Sequence, residues 1–243
     1  EGKLTLCAPT GRAARKMAES TGKVAVTMHH LLEIHQEEQE SEEELKLSTD
    51  LVIVDECSMV SMQLLYALLK ALDKGTRLVL IGDCDQLPSV QAGNVFADLI
   101  GSQVFPVTYL TKTFRQKQGS AILTNASCIN RGQGRFLWNT DCVLCQTWQE
   151  EDTLDGLLQV IRGLQKQGIS SKAMQVLTPF RSKTKLGCIQ LNRVLQELMN
   201  PKRAGTVELL VGSRCFRMGD KVMHLENEEE VSNGDVGYIT EIN

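Results

Sequence analysis

The chain has 243 residues, of which 42% are hydrophobic, and a formal net charge of −4. This length suffices for one large domain or two modest ones, each with its own core. No apolar run approaches the roughly 20 residues of a membrane-spanning helix, and no signal-peptide pattern is present, so we expect no membrane partner. The eight scattered cysteines favour a reducing compartment, and we expect a cytoplasmic protein.

The negative charge comes from one segment, "EEQESEEE" at residues 37–44, which holds six glutamates and no basic residue. Setting these six glutamates aside changes the balance from −4 to +2. Basic residues gather in "GRAARK" at residues 11–16 and between Arg181 and Arg217. We expect the acidic run to be a solvated loop, so the total charge does not exclude a nucleic-acid partner.

The first half of the chain alternates predicted strands with predicted helices. Strand "LTLCAP" leads into a helix that Gly22 ends, and strand "LVIVDE" leads into a helix over about residues 61–73. The helical spacing predicts that the leucines of this second helix face the core, namely Leu64, Leu65, Leu68, Leu69 and Leu72. Further apolar runs at residues 77–83, 95–100 and 107–111 continue the strand pattern. Runs that are apolar on both faces and separated by helices predict a parallel sheet covered by helices on both sides.

A second unit is predicted to begin near Trp148. Its predicted elements are a helix at 153–168, a strand at 173–179 and a helix at 188–200 that Pro201 stops. From Thr206 the pattern changes to short β-like stretches, and Asn233 with Gly234 predicts a hairpin turn because both residues tolerate positive φ. The predicted domains are therefore residues 1–147, 148–205 and 206–243.

Polar residues follow three of the predicted strands. They are "APTGRA" at residues 8–13, Asp55 with Glu56, and "GDCDQLPSV" at residues 82–90. Ligands of open parallel sheets bind beyond the carboxyl ends of the strands. Two carboxylates at the end of a buried strand are costly unless something pairs with them, so a divalent cation on a phosphate is one interpretation. A solvated strand end is the other.

The residue types at these strand ends suit phosphoryl transfer. An acidic pair after an apolar strand is the Walker B arrangement, in which Asp55 would hold Mg²⁺ on nucleotide phosphates and Glu56 would polarise the attacking water. The neutral amide of Gln86 can donate and accept hydrogen bonds at a γ-phosphate. Arg115 in "TFRQ" has a planar guanidinium that suits a transferring phosphoryl group, although a strand-end arginine is more often a surface charge.

"APTGRAA", "IVDECSM", "GDCDQLPSV" and "LTKTFRQ", in this order, resemble the RecD-like branch of superfamily 1 DNA helicases. "VLTPFR" with "LN", and "RMGDKVM" with "NGDVGYI", look like the second motor domain and the opening of the SH3-like insertion of that family. The resemblance implies a RecA-like motor domain of the P-loop NTPase type, part of a second α/β motor domain and the start of a small SH3-like β module.

The same resemblance implies ATP-driven, 5′-to-3′ movement on DNA in repair and recombination, with Mg²⁺ and ATP. Its implied partners are single-stranded DNA, duplex junctions and subunits of a nuclease–helicase complex of the exodeoxyribonuclease V type. Carried over residue by residue, it makes Asp55 the Mg²⁺ ligand, Glu56 the general base and Arg115 the arginine finger. It makes Gln86 the link between γ-phosphate and DNA. The implied DNA contacts are Pro9, Thr10, Gly11, Arg12, His29, Thr178, Pro179 and Arg181.

The chain departs from the family pattern in three respects. It contains no Walker A loop, G-x-x-x-x-G-K-[ST], which the family carries just upstream of "LCAPTG". Because the chain does not begin with methionine, we expect it to be part of a longer protein. Because it lacks the Walker A loop, we expect it to be inactive as an ATPase by itself. The late "H-x-S/K-Q-G" and "SRA" motifs are expected beyond Asn243. The strand-separating pin would fall in the acidic run, which has no aromatic wedge, so its form stays open.

The sequence allows two other chemistries and two other functions to be considered. Cys142 and Cys145 have zinc-like spacing but no second pair, so we expect no zinc. Cys57 and Cys84 lack a paired base, so we expect no thiol nucleophile. A non-catalytic DNA-binding or assembly module of a nuclease–helicase complex remains the alternative function. A nucleotide-switch GTPase is disfavoured because no base-reading Asn/Thr-Lys-x-Asp element is present.

Overall fold

The structure is a computed structural model, and it describes residues 2–32, 46–112, 114, 119–225, 231 and 233–242. The acidic run at residues 37–44 and Arg115 therefore lie outside the described residues. The chain divides into two compact units. The first comprises Glu1–Lys112 and His224–Asp235, and the second comprises Thr113–Met223 and Val236–Asn243. The domain boundaries after residues 147 and 205 stay predictions.

A four-stranded parallel sheet forms the centre of the first unit. Its strands are β1 (Leu4–Ala8), β2 (Val26–Thr27), β3 (Leu51–Val54) and β4 (Arg77–Leu80), in the spatial order β2-β1-β3-β4. Each neighbouring pair is parallel, with Leu6 opposite Ile53 and Ile53 opposite Val79. The predicted α/β class with a parallel sheet is confirmed. The short strand β2 was not predicted, because two residues give no periodicity.

Four helices accompany this sheet: α1 (Gly11–Thr21), α2 (Met28–Leu31), α3 (Met62–Ala71) and α4 (Val95–Gly101). Helix α1 begins after Thr10, whose hydroxyl accepts a hydrogen bond from Ala13 N, and ends at Gly22 with a φ of 67°. Glycine adopts this left-handed conformation without a Cβ clash, so Gly22 ends the helix as predicted. A turn of 3₁₀ helix at Cys57–Met59 connects β3 to α3.

The hydrophobic core of the first unit lies between the sheet and helix α3. Met28, Val52, Val54 and Cys7 are fully buried, and Leu68 of α3 packs with them. Leu64 and Leu65 are buried as the helical spacing predicted. The prediction that Leu69 faces the core was wrong, because its side chain is 52% exposed.

Two predicted strands of the first half are absent from the described residues. The run at residues 95–100 forms helix α4, because a short apolar run has no periodicity that separates a helix from a strand. The run at residues 107–111 has no strand and no ladder partner, and Tyr109 and Leu110 are largely exposed. An apolar segment becomes a strand only where another strand pairs with it, and its own sequence does not reveal that partner.

Among the residues that the structure describes, the second unit contains three α-helices and two small antiparallel sheets. The helices are α5 (Ala121–Asn130), α6 (Glu150–Lys166) and α7 (Cys188–Met199). The strands are β5 (Glu208–Val211), β6 (Arg214–Arg217), β7 (Lys221–Met223) and β8 (Val236–Tyr238), paired β5-β6 and β7-β8. Helices α6 and α7 and the β-rich end follow the prediction, whereas α5 was not predicted. The predicted strand at residues 173–179 is not formed: Ala173 ends a 3₁₀ turn and the remainder is irregular.

The hairpin turn predicted at Asn233 and Gly234 is present, but its geometry differs from the prediction. Gly234 has a φ of 91° and its N–H donates to His224 O at 2.8 Å. Asn233 does not adopt positive φ. The turn therefore closes a longer connection between β7 and β8 rather than a two-residue hairpin loop.

A buried arginine joins helix α7 to the β5-β6 hairpin. Arg217 is only 5% exposed; it donates to Glu208 Oε1 at 2.6 Å and to Asn200 O at 3.1 Å, and it also pairs with Glu197. Buried Asp220 accepts hydrogen bonds from Asn200 Nδ2 at 2.7 Å and from Arg217 N at 2.8 Å. A buried charge is tolerated only when it is paired and hydrogen-bonded, so these contacts fix α7 against the hairpin.

No helix in the described ranges is long and apolar enough to cross a bilayer. All eight cysteines are free thiols.

Candidate functional site

The carboxyl ends of the four parallel strands bring most of the predicted site residues of the first unit to one edge of the sheet. Residues 9–12 follow β1, Asp55 and Glu56 follow β3, and the loop containing Gln86 follows β4. His29 reaches the same edge because it follows β2 at the start of α2. Parallel strands all end at the same side of a sheet, which is where α/β proteins bind ligands.

Asp55 and Glu56 lie on a strained turn at the end of β3. Asp55 N donates to Cys7 O at 3.0 Å, and Asp55 Oδ1 accepts from Glu56 N at 2.9 Å. Glu56 adopts the left-handed conformation, with φ 53° and ψ 42°. A non-glycine residue in this conformation costs roughly 1–2 kcal/mol, and such strain concentrates at functional sites. Both side chains are half-buried, so they are neither sealed in the core nor free in solvent.

The 3₁₀ turn that follows Glu56 contains one unusual side chain, that of Ser58. Cys57 N donates to Ile81 O at 2.8 Å, which ties the turn to the end of β4. Ser58 Oγ is buried, and it has no hydrogen-bond partner in the part of the chain that the structure describes. A buried polar atom without a partner is uncommon in folded proteins and marks a segment held in place by its surroundings. The burial of Ser58 could not be predicted, because nothing in "DECSM" signals it.

We call residues 55–59, which contain Asp55 and Glu56, the carboxylate turn. Gly82 allows the loop after β4 to pack directly on it. A Cβ at this position would lie 3.0 Å from Cys57 N, 3.1 Å from Ser58 N and 3.0 Å from Phe96 Cε1. Two of these three atoms belong to the backbone, which cannot move away as a side chain can. The glycine of "GDCDQLPSV" is therefore required by close approach to the turn that carries Asp55 and Glu56.

Gln86 is held in place by Asp83 of the same loop. Gln86 Nε2 donates to Asp83 Oδ2 at 3.1 Å, and Gln86 N donates to Asp83 O at 3.2 Å. The other carboxylate oxygen of Asp83 accepts from Asp85 N at 3.1 Å. Asp83 is thus a positioning residue that the sequence analysis did not single out. Its position three residues before Gln86, in a turn, was the available signal.

The segment after β1 contains a side chain that caps helix α1 and an exposed basic side chain. The Thr10 hydroxyl accepts from Ala13 N at 3.3 Å, so this side chain already serves the start of α1. Arg12 is exposed, and Pro9 and Gly11 are half-buried. The first turn of α1 contains no acidic residue, so the partial positive charge of its N-terminus is not offset there. This loop suits a negatively charged ligand electrostatically.

The remaining predicted DNA contacts lie in the second unit, in the loop that precedes α7. Thr178 Oγ1 donates to Leu186 O at 2.7 Å, and Cys188 N donates to Phe180 O at 2.8 Å, so the loop is internally hydrogen-bonded. Arg181 and Pro179 are exposed or partly exposed in this loop. Arg115 cannot be placed, since it lies outside the described residues.

The carboxylate turn fits a magnesium nucleotide better than an all-protein metal cage. Mg²⁺ is commonly held by one or two carboxylates together with substrate phosphates, and the Asp55 carboxylate has hard oxygen atoms of the kind that such a site uses. The described ranges contain no group of three or more His, Cys, Asp or Glu side chains that could hold a metal. The expected absence of zinc at Cys142 and Cys145 stays a prediction.

Burial raises the pKa of two thiols beside the carboxylate turn, those of Cys57 and Cys7. Burial raises the pKa of Cys57 to about 12, even though hydrogen bonding from the Ile81 backbone acts in the opposite direction. Burial likewise raises the pKa of Cys7 to about 12. A thiol with such a pKa carries almost no thiolate at neutral pH, so neither side chain is a nucleophile.

A parallel sheet whose carboxyl edge carries an acidic turn and two polar loops defines the class of RecA-like α/β proteins. Residues 1–144 match the model of the AAA domain family, and residues 191–243 match the ATP-dependent RecD-like DNA helicase SH3 domain. The chain therefore belongs to the AAA domain family, and its C-terminal residues resemble the SH3 domain of the RecD-like helicases. The resemblance inferred from the motifs is confirmed, as is the SH3-like module.

Known proteins support this assignment. The chain is 36% identical over 236 residues to the ATP-dependent RecD2 DNA helicase of Deinococcus radiodurans, covering 96% of the chain and 32% of that protein. It is 35% identical over 156 residues to the RecBCD enzyme subunit RecD of Mycobacterium tuberculosis, covering 54% of the chain and 26% of that subunit. The chain thus spans about a third of these curated relatives or less.

A solved structure shares the fold. A Pif1 helicase, described in a study of DNA unwinding at forked double-stranded DNA, superposes with a TM-score of 0.55. The sequence identity is 19%, and the match covers 100% of this chain and 62% of that one. At this identity the likeness shows the fold alone.

Proposed function

We propose that this chain forms part of an ATP-dependent DNA helicase that moves 5′-to-3′ on single-stranded DNA during repair or recombination. The observation that carries the proposal is the single sheet edge shared by the carboxylate turn, the Gln86 loop, residues 9–12 and His29. A motor needs its nucleotide groups and its DNA groups on one rigid element, so that a change at one is transmitted to the other. Family membership supports the same conclusion.

Each residue of the proposed ATP site has a distinct role. Asp55 would hold Mg²⁺, which neutralises charge on the nucleotide phosphates. Glu56 would accept the proton of the attacking water. Gln86, fixed by Asp83, would hydrogen-bond the γ-phosphate and transmit its presence along the loop. Arg115 would stabilise the charge of the transferring phosphoryl group.

DNA would be held through its backbone. The α1 N-terminus and Arg12 offer positive charge beside residues 9–11, and His29 offers a further polar contact at the same edge. In the second unit, Thr178, Pro179 and Arg181 are proposed contacts of the same kind. Backbone contacts release counterions and read no bases, so affinity would depend on salt and not on sequence.

ATP turnover would require a Walker A loop, which these 243 residues do not contain. Phosphoryl transfer needs the phosphate-cradling loop and its lysine as well as the Mg²⁺ site. We therefore propose that these residues alone do not hydrolyse ATP and that the activity belongs to a protein that contains both.

The decisive experiment compares carboxylate variants in an ATP-hydrolysing protein that contains this chain. Glu56→Gln is expected to reduce hydrolysis by roughly 10²- to 10⁴-fold with nearly unchanged ATP affinity, because the amide cannot accept a proton. Asp55→Asn is expected to weaken Mg²⁺-ATP binding as well, because it removes charge at the metal. Single-turnover hydrolysis and nucleotide titration separate the two effects.

Matched controls are available elsewhere in the first unit. Asp73→Asn makes the same chemical change just before β4, at the opposite edge of the sheet, and Glu19→Gln does so on the exposed face of α1. Both controls should leave turnover unchanged. Hydrolysis by the Glu56→Gln variant at the parent rate would show that the two carboxylates are only a solvated strand end.

The alternative is a non-catalytic DNA-binding or assembly module of a nuclease–helicase complex. The similarity to a RecBCD enzyme subunit favours this alternative, and it also supports other subunits as partners. The same carboxylate variants distinguish the two proposals. An assembly module would tolerate Glu56→Gln without loss of ATP turnover, whereas a motor would not.

A further inference from the structure

Residues 131–138, which follow α5, form an exposed loop that we call the aromatic loop. The rings of Phe136 and Trp138 lie side by side, with centroids 5.7 Å apart and an interplanar angle of 44°. Phe136 is 38% exposed and Trp138 is 47% exposed, and Leu137 between them is 54% exposed. Contiguous exposed apolar groups of this kind mark interaction sites.

A buried side chain holds the aromatic loop in one conformation. Asn125 of α5 is 4% exposed; its Nδ2 donates to Leu137 O at 2.7 Å, and its Oδ1 accepts from Leu137 N at 2.7 Å. Both backbone groups of the residue between the two rings are thus bound by one amide. A surface that is ordered before binding loses little conformational entropy when a ligand arrives.

The charge of the aromatic loop is purely positive. It contains exposed Arg131 and Arg135 and no acidic residue. The next acid along the chain, Asp141, accepts hydrogen bonds from Ser120 Oγ at 2.7 Å and from Ala121 N at 3.3 Å. Its charge therefore offsets the N-terminus of α5. The matching ligand has flat apolar faces and a negatively charged backbone.

We infer that the aromatic loop binds single-stranded DNA, with bases stacked on Phe136 and Trp138 and phosphates beside Arg131 and Arg135. Stacking on aromatic rings next to arginines is how proteins bind single strands without reading their sequence. This inference rests on the proposed function, and it adds a site of base stacking to contacts that otherwise involve only the DNA backbone.

Tryptophan fluorescence tests the inference directly, because the chain has only two tryptophans, Trp138 and Trp148. Trp148→Phe leaves Trp138 as the reporter, and Trp138→Phe leaves Trp148. Trp148 is a matched control, since it is 84% exposed but lies just before three acidic residues, 150–152. Each variant of the 243-residue chain is titrated with oligothymidylate and with an abasic oligodeoxyribose phosphate of equal length.

We expect oligothymidylate to quench Trp138 emission, the abasic polymer to leave it unchanged, and neither to quench Trp148. In fluorescence polarisation, Trp138→Ala should weaken single-strand binding by about 5- to 150-fold, from the stacking of one base. Trp138→Phe should keep most of the affinity, and circular dichroism verifies that each variant is folded.

The possible failures are distinguishable. Polarisation that shows binding without any change in Trp138 emission, or equal quenching by the abasic polymer, would overturn the inference and leave the proposed function standing. Absence of any single-strand binding by the chain would overturn the inference together with the DNA contacts of the proposed function. The ATP hydrolysis experiment on Glu56 is independent of both results.

Discussion

The close approach of Gly82 to the carboxylate turn predicts that a single methyl group will destabilise the first unit. In Gly82→Ala the new Cβ would lie 3.0 Å from Cys57 N and 3.1 Å from Ser58 N. An ordinary contact needs several tenths of an ångström more, so the β4 loop and the turn must move apart. Overpacking of this kind costs about 1–3 kcal/mol, which exceeds the roughly 0.4–1 kcal/mol gained from a less flexible unfolded chain.

Urea denaturation followed by circular dichroism measures this effect. Gly101→Ala is the matched control, because Gly101 is helical and a Cβ there meets nothing within 4 Å among the described residues. The control shares the unfolded-state gain, so the difference between the two variants isolates the clash. We expect Gly82→Ala to be less stable than Gly101→Ala by about 1–3 kcal/mol, which is the cost of the clash alone. Equal stabilities would refute the packing of the β4 loop on the carboxylate turn.

Two other predictions concern charge. In an ATP-hydrolysing protein that contains this chain, Arg115→Ala should leave nucleotide affinity nearly unchanged while turnover falls by roughly 10³-fold or more. The reason is that an arginine finger acts on transition-state charge. A large loss of ATP affinity with normal turnover would contradict that role. Hydrogen bonds from Lys202, and to a smaller extent from Arg217, lower the pKa of Glu208 to about 2. The ionised Glu208 therefore stabilises the folded protein fully above its unfolded pKa, which is near 4.3. This stabilisation is lost as the pH falls toward 2. Denaturation between pH 5 and pH 2 should therefore show a decline in the parent that Glu208→Gln reduces, and identical pH profiles would argue against these ion pairs.

Local sequence determined the elements whose signals lie within a few residues. The apolar runs of β1 and β3 and the glycine that ends α1 predicted their structure correctly. The leucine spacing predicted helix α3, although Leu69 of that spacing is exposed. The resemblance of four motifs, in their order, also pointed to the family, and the matches of residues 1–144 and 191–243 to known domain families bear it out. These features depend on neighbours along the chain, which the sequence displays directly.

The tertiary structure alone decided the features that depend on distant neighbours. The runs at residues 95–100, 107–111 and 173–179 look like strands, but the first is a helix and the other two have no ladder among the described residues. The pairing of Arg217 with residues of α7 and β5 joins side chains 9 to 20 positions apart.

The candidate functional site also combines features that the local sequence predicted with features that depend on distant residues. Its residue types were readable from Asp55, Glu56 and Gln86, but the left-handed backbone of Glu56 and the contact of Gly82 with Cys57 were not. A strand needs a partner, a buried charge needs a counter-charge and a close approach needs a second backbone. In each case that second group is far along the chain, and only folding brings it near.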